Sequence, residues 1–400
     1  MQNKLHLNTF IILSIGYFID FYDLSIFSVN YSKIIPDLFG ITNEIAIQLL
    51  YLKISNFYNI GIFIGCILFG ILGDKYGRIS VIKFSILLYS ITIFMSIFVH
   101  NIIIFTFLRF LSGVGLSTEF STSAILISEL LYNSNKTNAN IFILYISGIL
   151  GGITATFIGW FSWKFMFLFG SICGILLYIL RSNIIESTLY VNIKNHICDK
   201  GNIIKIINNR KSLSKIIKLL VLSIPFYFMI SVMFIIPKFI HLNLNLAQAI
   251  HKLLIYFFIG NIIGTILATI LIKQFQNYKI VLYITILLYA ITIFYTKMIT
   301  YHSFSIYCLL LGITGGSFPV TWIQLVINSF GINQRSTATN LLTALGRGST
   351  VIYNILISLC LNNNFFNFLT IITIIMTIVF YFALFAINDN YHQDIDYIQS

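Results

Sequence analysis

The 400-residue chain reads as an all-α membrane protein of twelve transmembrane helices in two six-helix bundles. Three observations predict this. Apolar residues make up 58% of the chain and charged ones 9%, where a soluble domain carries roughly a quarter charged residues. Twelve separate apolar runs follow one another, each near the roughly 20 residues that a bilayer crossing takes. A basic stretch at 181–213 divides six runs from six. A water-soluble enzyme is excluded by this composition. The net charge of +12 suggests topology rather than nucleic acid, because the basic residues sit between apolar runs.

The runs fall at 9–30, 55–73, 79–99, 102–127, 140–160, 163–180, 214–237, 252–272, 280–298, 303–327, 337–361 and 365–387. They imply an N-terminal bundle over 1–180, a cytoplasmic central loop over 181–213 and a C-terminal bundle over 214–400. The first run is too long for a cleavable signal and lacks a small-residue cleavage site, so it counts as helix 1. An even number of crossings puts both ends on one side. Loops on that side hold sixteen Lys/Arg and the opposite loops six, with Arg109 and Arg347 inside the membrane. The bias places both termini in the cytoplasm. Ile86–Phe94 recurs as Ile286–Phe294, and Lys136-Thr137 recurs as Arg335-Ser336. Parallel repeats of six helices are the expectation.

After the second run stands Gly70-Ile-Leu-Gly73-Asp74-Lys75-Tyr76-Gly77-Arg78. Its glycines permit a tight turn, Asp74 suits a neighbouring helix N-terminus, and Arg78 suits a carboxylate. The equivalent turn of the second half, Lys273 to Lys279, has lost its Asp and Gly. Helix 1 carries Asp20 and Asp23 at i and i+3, on neighbouring positions of one face, roughly 18–22 Å from the helix end. A carboxylate at that depth is costly and faces a cavity or a partner, which makes the pair a proton-binding candidate. Helix 4 carries Arg109, Gly113, Glu119 and, at its end, Glu129. Arg109 reaches a similar depth and presents a planar fork suited to a carboxylate. Glu119 is a second proton site or an inner-gate contact. Glu129 is expected to pair with Arg78 or to cap structure. Arg347, deep in helix 11, complements a substrate anion or holds a structural partner. Tyr17, Tyr22, Tyr227, Tyr256 and Trp322 are candidates for the cavity wall. Gly148, Gly151 and Gly152 on helix 5 read as packing residues.

The five cysteines are scattered, with no metal or disulfide spacing, and the histidines lie near run ends. No phosphate-binding Gly loop or nucleophile–base set appears, so catalysis and ATP-driven transport are not expected.

Asp74-Lys75-x-Gly77-Arg78 resembles the helix 2–3 signature of the major facilitator superfamily. Asp20-Phe-Tyr-Asp23-Leu, the helix 4 pattern and Arg181 to Glu186-Ser187 resemble its metabolite:proton symporter branch, which includes proline/glycine-betaine, 2-oxoglutarate and citrate carriers. Helix 2 lacks that branch's Arg-Pro, and Asp20 stands where Glu is usual. Aromatic-acid symporters also carry a helix 1 Asp-x-x-Asp, and Gly346-Arg347 is similar to theirs. The resemblance implies a major facilitator fold in a bacterial inner membrane. It implies uptake of a small carboxylate or zwitterion with a proton, driven by the proton gradient without a cofactor. Asp20, Asp23 and Glu119 would couple protons. Arg109, Tyr22 and Arg347 would hold substrate. Gly73, Asp74, Lys75, Gly77, Arg78 and Glu129 would gate, steadying the outward-open state through helix 11. The implied partners are a small molecule, protons and lipid, with no nucleic acid, for a monomer. An aromatic-acid symporter, a proton-driven exporter, a metabolite exchanger and a transport-dead receptor or scaffold are the alternatives. The Pro-containing helix 5 signature of drug antiporters is absent.

Overall fold

A computed structural model describes residues 2–130, 137–184, 186–187, 189–191, 200–233, 246–295, 303–359, 365–388 and 390–391. The helices are α1 Gln2–Phe39, α2 Glu44–Tyr76, α3 Arg78–Ser96, α4 in two pieces Ile102–Gly115 and Glu119–Leu130, α5 Thr137–Ile158 and α6 Trp163–Leu180. The second set is α7 Arg210–Met233, α8 Leu246–Phe275, α9 Tyr278–Tyr295, α10 Phe304–Ser329, α11 Arg335–Leu359 and α12 Phe365–Phe385. Between the sets lie a 3₁₀ turn at Arg181–Asn183 and a short helix at Ile203–Asn208. Among the described residues, nine helices are long and apolar enough to cross a membrane. The polar face of α11, with Thr337, Thr339 and Asn340, is buried against α2 and the broken α4 rather than turned to lipid.

Helices α1–α6 pack among themselves, as do α7–α12, and the two bundles meet chiefly through α2 with α11 and α5 with α8. Glycines set how closely α2 and α4 approach. A Cβ on Gly61 would collide with the Phe110 carbonyl, on Gly65 with that of Val114, and on Gly113 with that of Tyr58. The second bundle repeats these contacts 199 residues on: Gly260 against Leu309, Gly264 against Ile313 and Gly312 against Phe257. Small residues four apart bring helix backbones together where side chains would hold them off. The sequence match at Ile86–Phe94 is therefore one visible part of a repeat whose packing is conserved contact by contact.

Three features depart from the apolar runs. α1 and α2 run on as helices to Phe39 and from Glu44, so Lys33 and Lys53 stand on helices rather than in a loop. Hydropathy marks only the lipid-facing length, whereas capping decides where a helix ends. Here Asn43 accepts from the Ile45 and Ala46 amides and starts α2. Secondly, α4 breaks at Leu116–Thr118, leaving Glu119 in the first turn of its second piece. Thirdly, Gly77 takes φ +102° between α2 and α3, and a Cβ there would strike the Glu186 carboxylate.

Candidate functional site

A cavity opens between the bundles, with Asp20, Arg109, Arg347, Asn59 and Asn261 among its polar wall residues. Aromatic rings supply much of the rest. Phe226 and Phe318 stack at 5.1 Å and 21°, and Phe318 lies near parallel to Trp322 at 6.3 Å. Tyr17 packs on Phe120 at 4.8 Å, beside Tyr145. These rings come from both bundles, so a ligand among them touches both. Of the expected wall aromatics, Tyr17, Tyr227 and Trp322 line the cavity. Tyr22 does not: its hydroxyl donates to the Met166 carbonyl at 3.0 Å, toward α6. Helical phase is the reason, because Tyr22 stands roughly 200° around α1 from Asp20. Tyr256 also lies off the wall.

Asp20 is 3% exposed and its Oδ1 has no hydrogen-bond partner. Asp23, fully buried, has both oxygens unpartnered. It faces Gly170 of α6 instead of the cavity, and Gly170 has no Cβ to displace it. Arg109 is buried, its guanidinium carbon 4.7 Å from the Tyr58 ring and 5.2 Å from the Phe27 ring. Its Nε and Nη1 lack hydrogen-bond partners. Cation–π contact holds such a group without neutralising it. Arg347, across the cavity on α11, is half-buried beside Tyr227, Tyr58 and Tyr17. The arrangement thus offers two guanidinium groups, one acid on the wall and a second acid just behind it. A planar anion can place its charge between the arginines and its ring on the aromatic faces.

Glu119 is buried and bound by both ends of the Arg181 guanidinium, with Nη1 to Oε2 at 2.9 Å and Nη2 to Oε1. Sequence reasoning gave Arg181 no place in the site. Its position at the end of α6, where cations complement the helix dipole, was the available signal.

At the end that carries the α2–α3 turn, the bundles are latched. Asp74 accepts from the Ser336 amide at 3.2 Å, the Thr337 amide at 2.8 Å and the Thr337 hydroxyl at 2.7 Å, which caps α11. Arg78 bonds Glu129 at 3.0 Å, the Gly73 carbonyl at 3.2 Å and the Ile332 carbonyl at 3.1 Å. Glu129 also meets Arg335 at 3.4 Å and accepts from the Ser187 hydroxyl at 2.6 Å. Glu186 accepts from the Ile79 amide at 3.2 Å, and burial pushes its carboxyl above the ordinary glutamate range. Gly73 lies against Ser336. Lys75 is exposed, and its carbonyl accepts from Tyr190.

Residues 13–188 match the sequence model of the Major Facilitator Superfamily. The chain is 28% identical over 181 residues to a putative metabolite transport protein of Haemophilus influenzae, covering 44% of this chain and 43% of that one. It is 32% identical over 142 residues to a benzoate transport protein of Acinetobacter baylyi, covering 33% and 30%. Similarity to a putative niacin/nicotinamide transporter of Bacillus subtilis is 30% over 142 residues, 34% and 35% of the two chains. The chain therefore spans less than half the length of each of these relatives. In structure it is similar to the proton:xylose symporter XylE bound to 6-bromo-6-deoxy-D-glucose, with TM-score 0.79, 17% identity, and coverage of 99% and 98%. A partially occluded inward-open XylE from E. coli matches at TM-score 0.75 and 16% identity, covering 98% and 99%. The fold is that of the major facilitator proteins, and the superfamily's sequence model matches the first bundle.

Proposed function

We propose that the chain is a multi-pass membrane carrier, both termini cytoplasmic, that imports a small aromatic carboxylate together with a proton. The observation that carries this is the pairing of two cavity arginines, Arg109 and Arg347, with a stacked aromatic wall. A proline or betaine carrier has little use for so much parallel ring surface. A tricarboxylate has more charge than two guanidinium groups offset. The relatives named for benzoate and niacin, both ring acids, support the same choice.

The roles follow from charge balance. Arg347 holds the substrate carboxylate, and the ring lies on Phe226, Phe318 and Trp322. Asp20 competes for the same positive charge while ionised. A proton on Asp20 or Asp23 removes that competition, so proton and anion enter as a neutral pair. Glu119 belongs to the same proton circuit. The Asp74 and Glu129 contacts hold the cytoplasmic ends together while the cavity is filled, and rocking of the bundles then exposes it to the other face. The carrier acts as a monomer in lipid.

Proteoliposomes given labelled benzoate, nicotinate, proline, glycine betaine, 2-oxoglutarate or citrate, with and without an inward proton gradient, test the reading. Gradient-driven accumulation of a ring acid is the expected result. Accumulation of proline, betaine or a di- or tricarboxylate instead would return the substrate to that class. Gradient-insensitive exchange would remove the proton roles, and outward proton-linked flux would make the chain an exporter.

A further inference from the structure

Behind the cavity wall, inside the first bundle, stands a column of buried polar groups. On α1, Gly16, Asp20 and Asp23 follow one face at i, i+4 and i+7. The Arg181 guanidinium and the Glu119 carboxylate lie against Gly16, where a Cβ would collide with Arg181 Nη2. On α6, Gly170 faces Asp23 Oδ1; one turn on, Gly174 faces Ser90 Oγ and the Tyr89 ring. Gly115 of α4 backs the Tyr89 Cβ from the other side. Arg181 follows Gly174 two turns later along the same chain direction. Four helices thus place Asp23, then Tyr89 with Ser90, then Glu119 with Arg181, in succession toward the latched end.

The column is costly as plain packing. Asp23, Tyr89, Ser90, Glu119 and Arg181 are each 0% exposed. Both Asp23 oxygens, the Tyr89 hydroxyl, Ser90 Oγ and Arg181 Nε have no hydrogen-bond partner. Buried polar atoms are almost always paired, and each orphan forfeits its hydration without a compensating bond. Phenylalanine and alanine would fill the places of Tyr89 and Ser90 without that penalty. The charged and titratable groups in electrostatic reach of Asp20 are Glu119, Asp23, Arg181 and Arg347, with Tyr17, Tyr58 and Tyr89. Tyr89 in turn faces Asp23, Asp20, Glu119 and Arg181, and Asp23 also faces Arg109 of α4, Tyr22 of its own helix and Cys173 of α6.

We propose that this column is a proton path separate from the substrate cavity, running from Asp20 and Asp23 past Tyr89 to Glu119, with Arg181 deciding whether Glu119 accepts. It rests on the reading of Asp20 and Asp23 as the proton-loading acids. No hydrogen bond joins Asp23, Tyr89 and Glu119 in this conformation. The transfer follows a rotation that brings the Tyr89 hydroxyl between the two carboxyls, when the Asp23 O–H gives its proton to the Tyr89 oxygen as the Tyr89 O–H proton passes to a Glu119 oxygen. Asp23 ends as carboxylate, Glu119 as acid and Tyr89 neutral, with no electron transferred. Arg181 loses its ionic partner in that step, so its hold on Glu119 sets the threshold. The proton then leaves at the α6 end while substrate stays among the aromatic rings.

Infrared difference spectra of the purified protein in lipid, titrated from about pH 5 to about pH 9, test this. The expected protonated-carboxyl band is one that Asp20→Asn or Asp23→Asn removes. Glu119→Gln should move its midpoint by about one pH unit, a tenfold change in proton affinity. Tyr89→Phe should slow hydrogen–deuterium exchange of the same band about tenfold, an effect that a packing role would not produce. A band indifferent to both variants overturns the path and leaves the acids' role standing. Absence of any band that the two Asn variants remove overturns both. Should Glu119→Gln leave Arg181 too poorly paired to fold, the exchange rate in Tyr89→Phe decides alone.

Discussion

Replacing Asp74 by alanine should open the latched end. The carboxylate accepts three hydrogen bonds from the start of α11, at 3.2, 2.8 and 2.7 Å, and lies 3.4 Å from Arg78. Two of the donors are backbone amides that have no partner within their own helix. Loss of a helix cap costs about 0.5–2 kcal/mol, and hydrogen bonds to a charged group contribute about 1.5–3 kcal/mol. Because Asp74 sits on α2 and its donors on α11, that energy is lost from the latched form only. A difference of about 2 kcal/mol changes the ratio of latched to open molecules about 30-fold. Asp74→Asn keeps one acceptor oxygen and should shift the ratio by less. Spin labels at exposed Ser80 and Lys273, one on each bundle at this end, would report the distance distribution in a cysteine-free background. If Asp74→Ala moves the ratio less than about threefold, Asp74 does not hold the bundles together and the energetic argument is wrong.

Arg347→Ala should weaken binding of labelled benzoate about 10- to 100-fold by scintillation proximity, with Arg347→Lys between the two; equal binding would remove Arg347 from the site. Gly312→Val and Gly113→Val should each lower the melting temperature in detergent sharply, since a side chain there meets the Phe257 or the Tyr58 carbonyl and overpacking costs about 1–3 kcal/mol. An unchanged melting temperature would mean that the helices part freely. Burial raises the Glu186 carboxyl above its unfolded value. The folded state then binds this proton more tightly, so its contribution is full below the unfolded pKa and lost as pH rises through the raised one. Melting temperature should therefore fall more from about pH 4.5 to about pH 8 in the native protein than in Glu186→Gln; parallel curves would refute the assignment.

The sequence shows the twelve runs and the Asp74 turn because apolar length and glycine spacing are local signals. What it hid is relational. The break in α4 carries no proline; its local marks are Gly113 and Gly115 before it and Ser117-Thr118 before Glu119, a capping residue before an acid. Arg181 lies 62 residues from the Glu119 it binds, and no spacing rule links them. Tyr22 could have been set aside by helical phase alone. Asp20 and Asp23 share a face by spacing, yet one meets the cavity and the other α6, because 60° around a helix is enough to change neighbours. The repeat was also legible beyond Ile86–Phe94: Gly61, Gly65 and Gly113 recur at one offset as Gly260, Gly264 and Gly312.

That offset also shows how the two bundles have diverged. The packing contacts are kept, whereas Arg109 falls on Cys308 and Glu119 on Phe318. The buried Asp–Arg–Glu chemistry therefore belongs to the first bundle only. The second contributes ring surface, through Phe226, Phe318 and Trp322, and the cavity cation Arg347, whose counterpart in the first bundle is Gly148. Under the proposed function, the proton is bound on one side of the cavity and most of the ligand on the other. Under that reading coupling requires the bundles to move as units, because the acids stand on the first bundle and Arg347 on the second. The residues that join them at the latched end, Asp74 to α11 and Glu129 between Arg78 and Arg335, are accordingly where a small change in energy alters the whole cycle. Changes to ring residues of the second bundle should alter which acid is carried while leaving the dependence on the proton gradient intact. A Phe318→Leu carrier that lost the gradient dependence of uptake would refute this division.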